Sequence, residues 1–272
     1  RQTLMHLALG VVAGEAGASV VVRRSRTARS CSAFSPALFG DETARLAVTS
    51  LEGRPPAGGV YPAVLAPSAA AEVLRLIARR LSPPGPPPGT PIGSRLLNVI
   101  DDGRLPGGIA TAPFDGEGTP TRRTLVVSGG AACEMIHDLA SAARAGAAST
   151  GNGVRASFRD APRHMTTNLF IAPGSDSPAD LLSSLGDGIW IQTLRPTPAV
   201  LSDETALVAI GAGRWVKQGR PGAPFSGALV TWPLADLLAG INGVGNDLTF
   251  GVAGSGLGAP SLLLQALELK AP

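Results

Sequence analysis

Chemistry needs convergent side chains, and this sequence offers few. Its histidines are His6, His137 and His164, and none has a second histidine nearby. A hydrolytic zinc site typically takes two histidines one helical turn apart plus a third N, O or S ligand. No such pair occurs here. The densest cluster is Glu134-Met-Ile-His137-Asp138. It falls at the end of an expected strand, where successive side chains point to opposite faces and do not converge on one ion. Cys133 with His137 or His164 would supply a thiolate–imidazole nucleophile. The alternating apolar setting of Cys133 reads instead as a small core residue. The sequence has no GxSxG elbow, no phosphate-binding loop and no strand-linked GxGxxG. The glycine-rich stretch Gly251–Gly258 lies between expected terminal strands and reads as a loop.

The chain that must position these residues has 272 of them, enough for one large domain or two small ones. With 44% hydrophobic and 16% charged residues, the composition is globular and not that of a disordered chain. The net charge is only +3, although Arg greatly outnumbers Lys: Lys217 and Lys270 are the only lysines among 23 basic residues. Such a small, dispersed charge is a poor phosphate-neutralising surface, which argues against a nucleic-acid partner. Cys31 and Cys133 lie far apart without a CxxC context and read as reduced thiols of a cytoplasmic protein. No apolar run reaches the roughly 18–20 residues of a membrane span. Leu4–Val12 is apolar but lacks the cleavage site of a signal peptide.

Proline marks the main break, at Ser82-Pro-Pro-Gly-Pro-Pro-Pro-Gly-Thr-Pro91, a polyproline-type connector that can be neither helix nor central strand. Gly53–Gly59 is a second break. Before the connector, Val20–Val22 and Tyr61–Leu65 read as strands and Asp41–Leu51 as a helix capped by Asp41. A helix starting at Pro67-Ser68 turns Val73, Leu74, Ile77 and Leu81 inward and Arg75, Arg79 and Arg80 outward. After it, Thr124–Val127 and Ala131–Ile136 flank Ser128-Gly-Gly130, a hairpin signal. Helices are expected at His137–Ala145, closed by Gly146, and at Asp180–Leu185, with Ser177 as cap, Pro178 in the first turn and Gly186 as stop. Strands follow at Ile189–Leu194, Ala206–Ile210, Arg214–Lys217 and Ala228–Trp232, then a helix at Leu234–Ile241 and a strand at Leu262–Leu267. Strands outnumber helices and most connections are hairpins. The fold class is therefore α+β, a large, mainly antiparallel or mixed sheet or barrel with flanking helices.

Three blocks then stand out together. They are Asp101–Arg123, containing Phe114-Asp115-Gly-Glu117-Gly118-Thr-Pro-Thr121; Ser149-Thr-Gly-Asn152-Gly-Val-Arg155, followed by Pro162 and Asn168; and Ile241-Asn-Gly-Val-Gly-Asn-Asp247. In order and spacing they resemble the C-terminal region of the TldD/PmbA family, known as modulators of DNA gyrase. The resemblance implies a β-rich domain over 92–272, preceded by the connector at 82–91 and by 1–81, a remnant of an N-terminal part with a helical segment. The family's usual N-terminal domain is missing or much reduced.

The zinc-bearing branch of that family carries a His-Glu-x-x-x-His helix where this chain has Pro67–Ala78, and a late Cys ligand where it has Gly251–Gly258. Neither place holds a His or Cys here. The resemblance thus implies a TldE/PmbA-like, metal-free subunit with no cofactor of its own. It would pair with a TldD-like subunit that supplies zinc and its activated water. The pair would cleave peptides or unfolded chains, and maturation of a peptide natural product is one such use. Asp115, Glu117, Asn152, Arg155 and Asn168 match the family's motifs and are the expected lining of the shared chamber; turn and hairpin capping is the alternative role for them. Two other readings stay open: a self-contained hydrolase or biosynthetic enzyme using Cys133 or carboxylates, and a homodimeric binding or scaffold protein.

Overall fold

A computed structural model describes residues 3–15, 18–54, 56–81, 83–155, 157–202, 205–250 and 256–270. Part of the glycine-rich stretch, 251–255, lies outside them, as do Pro55 of the Gly53–Gly59 break and Ser82 of the connector.

The chain opens with an antiparallel hairpin of β1 (Met5–Glu15) and β2 (Ala18–Ala28), in which Val11 pairs with Val22. Helix α1 (Pro36–Leu51) covers one face, where Ala13, Val22 and Ala47 make a small core. This helix starts earlier than Asp41. Ser35 accepts from the Leu38 amide and Pro36 sits in the first turn, a stronger start signal than an aspartate one turn later. Next come β3 (Gly59–Leu65) and α2 (Pro67–Arg80). The α2 stripe is as its periodicity predicts: Val73, Leu74 and Ile77 are buried, Leu81 follows them, and Arg79 and Arg80 are exposed.

The middle of the chain holds β4 (Val99–Asp102), β5 (Arg123–Ser128), β6 (Ala131–Ala132), α3 (Leu139–Ala145), β7 (Gly153–Val154), β8 (Arg163–His164) and β9 (Leu169–Ile171). The β5–β6 turn uses Gly129 and Gly130 at φ 54° and 77°, left-handed values that suit glycine. The second hairpin strand is shorter than its alternation suggests, because the chain leaves the ladder after Ala132. Cys133 is consequently exposed and not a core residue. Helix α3 begins at Leu139, where Asp138 and Ser141 form a reciprocal capping box.

The last part runs α4 (Pro178–Leu185), β10 (Gly188–Ser202), β11 (Thr205–Lys217), β12 (Arg220–Phe225), β13 (Leu229–Pro233), α5 (Leu234–Ala239), β14 (Ile241–Val244), β15 (Thr249–Phe250), β16 (Gly258–Ala259) and β17 (Leu262–Lys270). The two strands expected at Ala206–Ile210 and Arg214–Lys217 are one. A side chain at Gly213 would meet the Phe225 ring at 2.5 Å, so the glycine is a seat for that ring and not a break. Helix α5 stops short of Ile241, which starts β14.

Strands β10, β3, β17, β13 and β11 pair in that order, and β11 pairs back with β10, closing a barrel. The β3–β10 pair is parallel and the others around the ring are antiparallel. A second sheet runs β15-β16-β9-β4-β5-β6. Helix α2 packs between the two, and its buried face joins Leu65, Leu97, Ile171, Ile189, Ile210 and Leu264 in one continuous core. The architecture is thus α+β, mostly antiparallel and barrel-forming. Among the described residues, no helix is long and apolar enough to cross a membrane.

Phe225 is fully buried, 5.6 Å from the Trp215 ring centroid, and wedged beneath Gly213. Phe225→Ala should cost about 3–5 kcal/mol, the range for deleting a buried aromatic ring. A lowered urea midpoint with unchanged slope is the expected reading.

Candidate functional site

Helix α2 presents its first turns to a cleft of about 710 Å3. Its walls come from four directions: Arg23, Arg24 and Arg26 of the hairpin, Phe39 of α1, Thr193 and Leu194 of β10, and Thr249 and Phe250 of β15. On α2 itself, Ser68 and Glu72 face it. The β3–α2 junction is pinned to the barrel, since Ser68 Oγ donates to the Gln192 carbonyl at 2.6 Å and the Ala66 amide to the Ile191 carbonyl at 2.9 Å. Glu72 is held by Arg75, with N–O distances of 2.8 and 2.9 Å. Arg24 pairs with Glu42 at 3.3 Å while its guanidinium lies 4.8 Å from the Phe39 ring centroid.

Zinc prefers imidazole and thiolate ligands. The α2 residues in the cleft offer one hydroxyl already bonded to backbone and one carboxylate already paired to arginine. That donor set does not fit zinc. No group of three or more His, Cys, Asp or Glu side chains placed to hold a metal occurs among the described residues.

The five polar residues singled out in the sequence do not line this cleft. They knit the loops that follow β4, α3 and β8. Asp115 accepts from the Glu117 and Thr119 amides through Oδ1, both at 2.9 Å, and from the Gly153 amide through Oδ2 at 2.8 Å. Glu117 accepts from the Leu139 amide at 2.8 Å, at the start of α3. Arg155 donates to the carbonyls of Gly116 and Asp160 at 3.0 and 2.7 Å. Asn168 accepts from the Ala110 amide at 2.9 Å and donates to the Asp102 carbonyl at 2.7 Å. Asn152 donates to Asp101 at 2.7 Å and to the Met165 carbonyl at 3.0 Å, and accepts from Thr150 Oγ at 2.6 Å. Asp115, Glu117, Asn152 and Arg155 thereby form one connected cluster, with Asn168 on the neighbouring loop.

Asp101 anchors the cluster, and sequence reasoning named it only within its block. It is 1% exposed and accepts from Asn152 Nδ2, from the Thr167 amide at 2.7 Å and from Thr167 Oγ at 2.9 Å. Burial raises its pKa above the ordinary value, against the opposing pull of the Asn152 and Thr167 donors. A doubled acid in Asp101-Asp102 on a strand is a local signal of this kind, because one of the two must face inward.

A second cavity, about 770 Å3, lies beneath the connector prolines Pro83, Pro84 and Pro86–Pro88 and is also lined by Arg122, Cys133, Glu134, His137 and Ser141. Arg122 and Glu134 are joined by a bidentate ion pair. His137 Nδ1 lies 3.3 Å from Ser141 Oγ, and burial lowers the His137 pKa. His6 sits apart on β1, with Nδ1 2.8 Å from Thr27 Oγ1.

A family model for the PmbA/TldA metallopeptidase C-terminal domain matches residues 58–271. The chain is 24% identical over 192 residues to a metalloprotease TldD homolog of Buchnera aphidicola, an alignment covering 66% of this chain and 40% of that protein. It is 33% identical over 107 residues to a metalloprotease of Methanocaldococcus jannaschii, covering 39% and 24%. The crystal structure of TldE from Thermococcus kodakarensis superposes with a TM-score of 0.85 at 17% identity, over 98% of this chain and 63% of that one. A Thermotoga maritima protein described as a candidate modulator of a DNA gyrase gives 0.84 at 24% identity, over 97% and 62%. These two superpositions speak to fold alone. The chain spans about two fifths of the length of its TldD-homolog relative, 40% of it.

The raised pKa of Asp101 has a sign. Both folded and unfolded chains hold the proton below the ordinary value of 3.8. As pH climbs from there through the raised folded value, the unfolded chain releases its proton first, and stability falls. Asp101→Asn should remove that slope. It should also destabilise at every pH by about 1–3 kcal/mol, because its amide meets donors where acceptors are needed. Urea midpoints of both proteins across pH 3.5–8 check this, and parallel profiles would contradict it.

Proposed function

The chain belongs to the PmbA/TldD metallopeptidase family, and from that premise we propose that it is the metal-free, TldE-like subunit of a two-subunit zinc peptidase. The partner, a TldD-like subunit, carries the zinc and the bond-breaking chemistry. The substrates are peptides or partly unfolded chains, including precursors of peptide natural products. The compartment is the cytoplasm, in keeping with two exposed, unpaired cysteines.

One observation carries the proposal. In the cleft, α2 shows Ser68 and Glu72, both already engaged within the chain, where the zinc-bearing branch has its His-Glu-x-x-x-His helix. The cleft remains, with its helix, barrel wall and hairpin, while the ligands do not. What this chain contributes is shape: a rigid wall against which an extended peptide is held. Asp115, Glu117, Asn152, Arg155 and Asn168 serve the same end by holding the loops 103–122 and 149–168 as one surface of the chamber shared with the partner.

A second reading rests on the connector cavity, where an exposed Cys133 lies with His137. It would make the chain a thiol hydrolase in its own right. His137 is committed to Ser141 and held by Thr150, whose hydroxyl accepts from the His137 amide at 2.7 Å. These contacts favour a structural role for it.

Co-expression with a His-Glu-x-x-x-His homologue tests the two readings. The expected complex cleaves an unstructured peptide, contains zinc bound to the partner, and loses activity with EDTA, while this chain alone is inert. Cleavage by the isolated chain in EDTA would sink the subunit reading. Cys133→Ala in the complex should leave turnover unchanged, and its loss would move the chemistry to the connector cavity.

A further inference from the structure

Among the described residues, the most exposed large apolar side chain is that of Phe158, at 86%. It stands on the loop between β7 and β8, in a turn over Ser157–Asp160 that the Asp160 amide closes by donating to the Ser157 carbonyl at 3.2 Å. Two side chains brace this turn: Ser157 Oγ donates to the Asp160 carboxylate at 2.7 Å, and Arg155 to the Asp160 carbonyl, also at 2.7 Å. The Arg159 guanidinium lies 5.1 Å from the Phe158 ring centroid. An aromatic ring held out beside an arginine has the make-up of an interface anchor. The charge of the loop is one-sided, with Arg155, Arg159 and Arg163 against Asp160 alone. None of the three arginines has a carboxylate within ion-pair distance among the described residues.

A surface of the opposite character lies elsewhere on the same chain. Val60, 66% exposed, lines a groove of about 460 Å3 between α5 and the strands β3, β13 and β17. Pro233, Leu237 and Leu267 add to its apolar lining. Its charged lining among the described residues is Asp236 and Glu268, both acidic, and neither has a cation within ion-pair distance there. Val60 and Glu268 are direct partners across the antiparallel β3–β17 ladder. They therefore share a face, with Cβ atoms about 4.5–5.5 Å apart. That spacing is of the same size as the one between the Phe158 ring and the Arg159 guanidinium. A ring resting on Val60 puts the neighbouring arginine within reach of Glu268.

We propose that the chain self-associates through these two surfaces: the groove takes the Phe158 turn of a second copy, with the ring on Val60 and Arg159 paired to Glu268. The two patches differ, so copies either exchange turns in pairs or add head to tail. The contact uses neither the α2 cleft nor a zinc-bearing partner, and so stands independently of the subunit reading.

Sedimentation velocity of the full chain over a concentration series tests this. At low ionic strength the chain should associate reversibly, and added salt should weaken the association. Phe158→Ala should weaken it about thirtyfold, the scale of losing an aromatic anchor. Arg159→Glu and Glu268→Arg should each weaken it about tenfold or more, because like charges then face each other. An equimolar mixture of R159E and E268R should associate again, since the turn of the second meets an unaltered groove on the first. Phe158, Arg159 and Glu268 are all exposed, and the turn and β17 are separate elements, so a variant that fails to fold leaves the others to decide. A chain that stays monomeric throughout the series, or association unmoved by F158A and by E268R, overturns the proposal. So does a monomeric chain whose complex with a zinc-bearing partner is lost in F158A, which would assign the turn to that partner.

Discussion

The loop side of this molecule depends on one buried carboxylate. Asp101 has lost its water and keeps only three donors, from Asn152 and Thr167. A group so placed is costly unless every bond is made, which is what makes it specific. It ties β4 to the residues just before β9 and, through Asn152, to the turn at Thr150. Thr150 in turn receives the His137 amide and bonds Asn152. Loops far apart in sequence therefore share one anchor, and the neighbouring ties at Asp115, Glu117 and Asn168 close around it. Two of the three blocks that carry the family resemblance, Asp101–Arg123 and Ser149–Arg155, are these same loops. They are best understood as scaffold chemistry first, with any contact to a substrate following from the surface they hold.

The cleft has a different origin. It exists because three independently stabilised pieces meet: a hairpin backed by α1, a helix buried between two sheets, and the barrel strand β10. Ser68, Glu72, Arg24 and Thr249 are restrained by partners within the chain, whereas Arg23 and Arg26 of the hairpin have no carboxylate partner among the described residues. The contrast between a rigid, apolar and internally satisfied floor and an electrostatically open rim is the physical basis for reading it as a binding surface without catalytic parts of its own.

Much of this was legible in the sequence where the signal is local. The α2 stripe follows from the spacing of Val73, Leu74 and Ile77, and the α4 start from Ser177-Pro178 with Asp180 reaching back to the Ser177 amide. The β5 turn follows from Gly129-Gly130. Where packing decides, the pattern misleads. Gly213 looks like a strand break until the Phe225 ring is seen resting on it. Cys133 looks inward-facing only while the strand is assumed to continue, and parity is lost once the ladder ends at Ala132. The convergence of Arg23, Ser68, Thr193 and Phe250 on one cleft could not be read at all, since nothing in their spacing links a hairpin to a strand more than a hundred residues later. The absence of histidine from α2 was legible; that Ser68 and Glu72 already have partners was not.

The strand order of the barrel has a consequence for biosynthesis. In the ring, β17 lies between β3 and β13, so a strand synthesised long after β3 fills the gap beside it. Residues 59–65 must wait for 262–269, across nearly the whole chain, before that edge of β3 is paired. Closure is thus a highly non-local event, the kind that makes folding slow. Until then the nascent chain displays a hydrophobic strand edge, open to pairing with other chains. For such a topology, the nascent chain depends on being shielded until β17 has been made and taken into the ring.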